Sequence, residues 1–248
     1  MKFLIAVFNL LIIISLTILT QIGGVVWCLN LLVFYVLKKK IKLRYRMLSF
    51  STLYLIFTFF VIPFLASQLG RTQLPISRSN NLAPHNFMTV LLNRNYVTPK
   101  LKSELLDISN QFTQINPNIK TIYLDANFPF WDGFPLLPHL SHNDGKKIDL
   151  SFIYTQNGIV TNQKPARSGY GYYEPPKKGE SNQPNICAKK GNWQYSFPQY
   201  LTLGSRNNLT FDNIKTKAFL QLILQRPHTH KVFIEPHLKQ RMKINQKK

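Results

Sequence analysis

Apolar residues run from Phe3 to Leu37 almost without a break, with Asn9, Gln21, Asn30 and a few Ser and Thr as the polar members. A second apolar run covers residues 48–69. About 20 apolar residues suffice for a helix to cross a hydrocarbon core roughly 30 Å thick. The pattern therefore predicts two membrane helices, at about residues 3–37 and 48–69, in a membrane region spanning residues 1–70. The first run exceeds one membrane thickness, which predicts tilt or a start in the interface near Thr17. The Gly23-Gly24 pair marks a place for a kink. A secretory signal would carry an apolar stretch of only about 7–15 residues ending at a small-residue cleavage site. This run continues to Leu37 without one.

Between the two runs lies the basic segment KKKIKLRYR, which holds Lys38, Lys39, Lys40, Lys42, Arg44 and Arg46. Short basic loops stay in the cytoplasm. The loop at residues 38–47 is thus expected inside, with the N-terminus and everything after Leu69 outside. The same charges suit contact with lipid headgroups.

Past residue 70 the pattern changes to that of a folded domain. Residues 71–85 (RTQLPISRSNNLAPH) read as a polar linker. Thr98 suits a helix cap with Pro99 at the first position, and Leu101, Leu105, Ile108 and Phe112 recur at helical spacing up to Gln114. Residues 120–124 and 147–154 read as strands, and 231–234 as a third. Residues 156–191 are loop-like, and the aromatic stretch 192–203 is partly extended. Thr210 is expected to cap a helix at 211–225, with Ile214, Ala218 and Ile223 on one face. The result is a mixed α+β domain over residues 86–248.

Charge narrows the partners. Residues 71–248 contain 24 basic and all 10 acidic residues, a net charge of +14. That suits an anionic neighbour such as a membrane surface, a cell-wall polymer or nucleic acid. Nucleic acid requires a cytoplasmic face or a binding motif, and neither is visible, so an envelope polymer is expected and nucleic acid is not. Cys28 lies within the first apolar run, leaving Cys187 without an outward partner in this chain.

The candidate chemistry is concentrated in residues 138–150, PHLSHNDGKKIDL. Asn143-Asp144-Gly145 favours a tight reversal. In a following strand Asp149 alternates away from Ile148 and Leu150, back toward His142. An imidazole nitrogen and a carboxylate oxygen about 2.0–2.2 Å from a cation form half of a catalytic zinc site, which needs three protein ligands. The other reading of the same residues is a polar turn with a surface histidine.

The stretch resembles the metal motif of the penicillin-insensitive murein endopeptidases. More broadly it is similar to the lysostaphin and D-Ala-D-Ala dipeptidase group of zinc peptidases, with a His, a Gly three residues on and an Asp seven residues on. Pro138-His139 matches an additional Pro-His of the endopeptidases. Residues 207–242 (NNLTFDNIKTKAFLQLILQRPHTHKVFIEPHLKQRM) resemble the same family's later segment, and the similarity covers roughly residues 86–241. The resemblance implies a zinc-peptidase-like outer domain with His142 and Asp149 as the first two zinc ligands and His139 near the metal without being a main ligand. It implies a peptidoglycan (murein) peptide as substrate.

The family's third ligand comes from a His-x-His motif on a later strand, and here no histidine follows His237. Three readings stand: a chain truncated before that motif, a displaced His228-Thr229-His230, or His237 as substitute. With two ligands the metal would be weakly held and peptidase activity small. Two function classes remain. One is a membrane-anchored metallopeptidase-like envelope protein, degenerate or truncated. The other is a non-catalytic module that holds a wall polymer. Glu235 offers itself as a general base but is expected in an exposed turn. Trp131, Trp193 and Tyr195 suit core packing better than a substrate groove. Asn208-Leu209-Thr210 is a glycosylation sequon only in a eukaryotic cell.

Overall fold

The computed structural model describes residues 2–38, 42–171, 174–193, 197–206 and 208–244. The apolar N-terminal region forms α1 (Lys2–Thr20), α2 (Gly23–Val36) and α3 (Leu43–Ile56). A π-helical turn (Phe57–Val61) continues α3 into α4 (Ile62–Gln68). Pro63 has no N–H to give to the helical ladder, and a wider turn just before it accommodates that loss. Two helical stretches, Lys2–Thr20 and Leu43–Gln68, are long and apolar enough to cross a membrane.

The single helix expected at 3–37 is instead a hairpin. Gln21 takes a left-handed φ of 66° between α1 and α2. Trp27 Nε1 donates to Asn9 Oδ1 at 3.0 Å, whereas 18 residues of continuous helix would separate them by about 27 Å. Gly24 sits against α1 closely enough that a Cβ would lie 2.7 Å from the Ile13 carbonyl oxygen. The helix α3 then returns along α2, with the Trp27 and Phe50 rings 5.2 Å apart and Asn30 Nδ2 donating to the Arg46 carbonyl. Residue 2, the end of α2 and the start of α3 therefore share one end of this bundle, and Gln21 lies at the other. The expected placement of the N-terminus opposite the basic loop is corrected accordingly.

The chain divides into two compact units that cut across the expected boundaries. The first comprises residues 1–76, 87–103 and 125–149. It contains the helical bundle, α5 (Phe87–Leu91), and β1 (Thr72–Gln73) paired antiparallel with β3 (Tyr96–Val97). Its apolar centre is Ile22, Val26, Ile62, Ala66 and Tyr96, with Phe57 and Phe130 packed against it. Residues of the N-terminal helices and later residues thus share one core.

The second unit comprises residues 77–86, 104–124 and 150–248. The expected helix after Thr98 forms as α6 (Pro99–Ile115), which buries Leu105, Ile108 and Phe112. Within this unit β2 (Leu82–Pro84) pairs in parallel with β4 (Thr121–Tyr123). An antiparallel sheet has the order β6 (Ile159–Thr161), β5 (Tyr154–Gln156), β7 (Leu209–Phe211). Asn157-Gly158, both at positive φ, close the β5–β6 hairpin as such pairs do. The segment before β5, expected as strand from 147, makes a single bridge, Leu150 to Tyr123.

Thr210 lies in β7, so the next helix starts two residues later than expected. This helix is α8 (Asn213–Leu224), and Asp212 caps it by accepting from Lys215 N at 2.9 Å. The buried face is Thr216, Phe219, Leu220 and Leu224, while Ile214 is exposed. The loop-like 156–191 region also contains α7 (Gln183–Lys189), and residues 197–201 form a 3-10 turn. Residues 231–234 are irregular rather than a strand, and α9 (Pro236–Arg241) follows them.

Candidate metal centre

The three metal-capable side chains lie on the segment 125–149 of the first unit. Asp149 N donates to the Asp125 carbonyl at 2.8 Å, fixing the two ends of the segment together. Asn127 organises the turn between them. Its Oδ1 accepts from Gly145 N at 3.0 Å and its Nδ2 donates to the Lys147 carbonyl at 2.8 Å. Asp144 accepts from Lys146 N at 2.9 Å and pairs with Lys147. These bonds produce the reversal that Asn-Asp-Gly predicted. Gly145 is required there. Its φ is +73°, and a Cβ would overlap the guanidinium of Arg71, which pairs with Asp132.

His142 is almost fully buried, and its Nδ1 lies 2.8 Å from the Ala126 carbonyl oxygen. A carbonyl only accepts, so Nδ1 carries a proton and donates to it, which leaves Nε2 as the ring atom facing the site. A backbone partner of this kind fixes ring orientation in metal-ligating histidines. Nε2 stands 3.3 Å from Asp149 Oδ1. The other Asp149 oxygen lies 2.6 Å from His139 Nδ1. The donor atoms of His139, His142 and Asp149 all lie within 4.8 Å of one another. Among the described residues this is the group able to hold a metal ion.

This donor set fits a small divalent cation. Ligands about 2.0–2.1 Å from a tetrahedral ion are about 3.3 Å apart, the spacing found between His142 and Asp149. The closer contact between His139 and Asp149 is that of an ion pair, which an ion would spread. Burial works against charge on both groups. The Asp149 carboxylate nevertheless holds His139 above the usual imidazole range, and the two histidines hold Asp149 well below the usual carboxylate range. Behind them, Asp125 is buried, 3.4 Å from Arg94 and 3.7 Å from His139 Nδ1. His139 and Asp149 are each about one-third exposed at the side chain, whereas His142 is 7% exposed. The site is therefore open on the His139 side.

Sequence reasoning set His139 beside the metal rather than on it, yet its Nδ1 is placed as well as the other two donors. The signal was its spacing, three residues before His142, which lets one tight turn present both rings. The His142 amide donates to the His139 carbonyl at 2.9 Å in that turn. Asp125 and Arg94 carried no sequence signal. The alternative third ligands are used otherwise. His237 is fully buried in the second unit, with Nε2 2.8 Å from the Glu174 carbonyl oxygen and 3.7 Å from Glu235. His228 and His230 are exposed after α8. Glu235 stands half-buried at the residue before α9, without a side-chain capping bond, rather than in an exposed turn. Trp131 and Trp193 are exposed, contrary to the core role expected of them, and Tyr195 lies outside the described residues. No protein-family model matches this chain, and neither does any curated protein or solved structure.

Proposed function

We propose that the chain is a membrane-anchored, zinc-dependent hydrolase of cell-envelope peptides, with His139, His142 and Asp149 holding the ion. The observation that carries this reading is the convergence of the three donors within 4.8 Å. The resemblance of PHLSHNDGKKIDL to the murein endopeptidase motif supplies the substrate class, peptidoglycan peptide. Zinc bound there would supply Lewis acidity toward a carbonyl and a lowered pKa for water. His142, locked on Ala126, orients the site, and Asp149 bridges the two rings. The Arg94–Asp125 pair puts a second carboxylate behind His139, favouring a cation in front of it. Under the positive-inside rule the bundle end with residue 2 and the basic segment faces the cytoplasm, and Gln21 faces outward. The net charge of residues 71–248 suits the anionic wall.

The test uses the full chain in detergent micelles. About one zinc per chain is expected, along with zinc-dependent release of new amino termini from purified peptidoglycan. Both are lost in His142→Ala and Asp149→Ala. The positive charge also supports a second reading, a module that holds wall polymer without cutting it. Polymer that still co-sediments with the parent chain and both variants, with no cleavage by any of them, would establish that module and sink the hydrolase.

A further inference from the structure

The metal-bearing segment is tied to the tip of the membrane hairpin. The Gln21 side chain donates to the Phe130 carbonyl at 2.7 Å and accepts from the Phe130 amide at 2.9 Å. Tyr96 packs on Ile22 and Val26 at the same tip, and its backbone bridges to Asn127. The neighbouring carbonyl, that of Ala126, holds His142. One side chain and one strand spacing of about 4.8 Å therefore separate the hairpin tip from the metal ligands.

Large apolar side chains are exposed on this segment and on other helices of the same unit. Trp131, next to the tethered Phe130, is 64% exposed. Leu137 and Leu140 flank His139 and are 48% and 56% exposed. Phe87 and Met88 of α5 and Phe64 of α4 are half-exposed or more. The Phe87 ring stacks on Phe59, within the membrane-length rod Leu43–Gln68, at 6.0 Å. Exposed large apolar residues on a unit that contains membrane-length helices, with a Trp among them, are the signature of residues seated in the interface. From this geometry we infer that the metal centre works at the membrane surface, on a substrate that is itself anchored in the bilayer by a lipid tail. Trp131, Leu137 and Leu140 dip into the lipid and His139 faces the substrate's polar head. This rests on the membrane-anchored hydrolase reading and names the form of its substrate, a lipid-linked peptide rather than the finished wall.

The experiment uses the full chain in nanodiscs, with Trp27→Phe and Trp193→Phe leaving Trp131 as the one reporter and zinc content measured on the same sample. Lipids brominated near the headgroup should quench Trp131 at least twofold, and more strongly than lipids brominated near the chain ends. A bimane label at Leu140→Cys, in a Cys28→Ser, Cys187→Ser chain, should be quenched in the same order. The zinc-dependent rate on a lipid-tethered peptide should fall at least tenfold in a Trp131→Ser, Leu137→Ser, Leu140→Ser variant, with the rate on the same peptide untethered unchanged. Zinc-loaded protein whose Trp131 and residue-140 label are both untouched by brominated lipid would overturn the inference while leaving the hydrolase intact. Equal loss on tethered and free peptide would overturn it as well. Quenching as expected in protein that takes up no zinc would sink the hydrolase and with it the substrate.

Discussion

Lys164 offers a test of the second unit that does not involve the candidate metal centre. The residue is 4% exposed. Its Nζ donates to the Phe152 carbonyl at 2.8 Å and stands 5.7 Å from the centre of the Tyr154 ring. Burial pushes its pKa from the ordinary 10.5 down to about 7. Between those values the folded protein binds fewer protons at this site than the unfolded chain does. Stability therefore rises with pH through the window and is lowest, and flat, below it. One pH unit is worth about 1.4 kcal/mol, so the window sets a ceiling of roughly 5 kcal/mol. Lys164→Met keeps the stem and removes the charge, and it forfeits one hydrogen bond of about 1 kcal/mol. At pH 7 the variant should be more stable than the parent by roughly 3–4 kcal/mol, and the gap should close toward pH 10. Guanidinium unfolding of both chains in the same micelles, followed by circular dichroism across this range, measures the gap directly. A gap of equal size at both ends of the range would refute the reasoning.

Two further perturbations probe the first unit. Gly145→Ala adds about 1 kcal/mol of left-handed strain and displaces Arg71 from the turn. Zinc affinity measured by chelator competition should fall at least tenfold, and an unchanged affinity would show that the turn does not set the distance between His142 and Asp149. Gln21→Leu leaves the Phe130 amide and carbonyl without their partner, a cost of about 1–3 kcal/mol for each group if it stays buried. Protease cleavage within 125–149 should quicken in nanodiscs, and an unaltered digestion pattern would mean that the hairpin tip does not hold the segment.

The elements that were legible in the sequence had two independent signals. α6 combined a Thr-Pro start with Leu105, Ile108 and Phe112 at helical spacing, and it formed within a residue of its expected end. The Asn-Asp-Gly turn was visible because its chemistry is local. The hairpin within residues 3–37 was not, because a run that is apolar on every side has no periodicity to show where it folds back. Its mark was Gln21 directly before Gly23-Gly24, a polar side chain that pairs with a partner 109 residues away. At β7, Thr210 and Asp212 both suited a cap, and the pairing of β7 with β5 decided between them. Residues 231–234 have strand-like composition but lie against the cluster of Tyr154, Leu220 and Leu238 through Val232 and Ile234 without a ladder. His139 is the instructive case within the site. Its neighbours in sequence identified a turn, but only the fold brought Asp149 around to meet it.

The shared core of Ile22, Val26, Ile62, Ala66 and Tyr96 bears on how this protein can be handled and how it can change. Cutting the chain after Gln68 would not leave an intact remainder, since it would strip Tyr96 of the surface it packs on and Phe130 of the Gln21 amide that holds it. A foreign helical hairpin put in its place would fail for the same reason. Substitutions at Gln21 or Val26, which would pass for harmless lipid-facing changes in a simple tether, should be selected as strictly as those at a buried position of an ordinary enzyme.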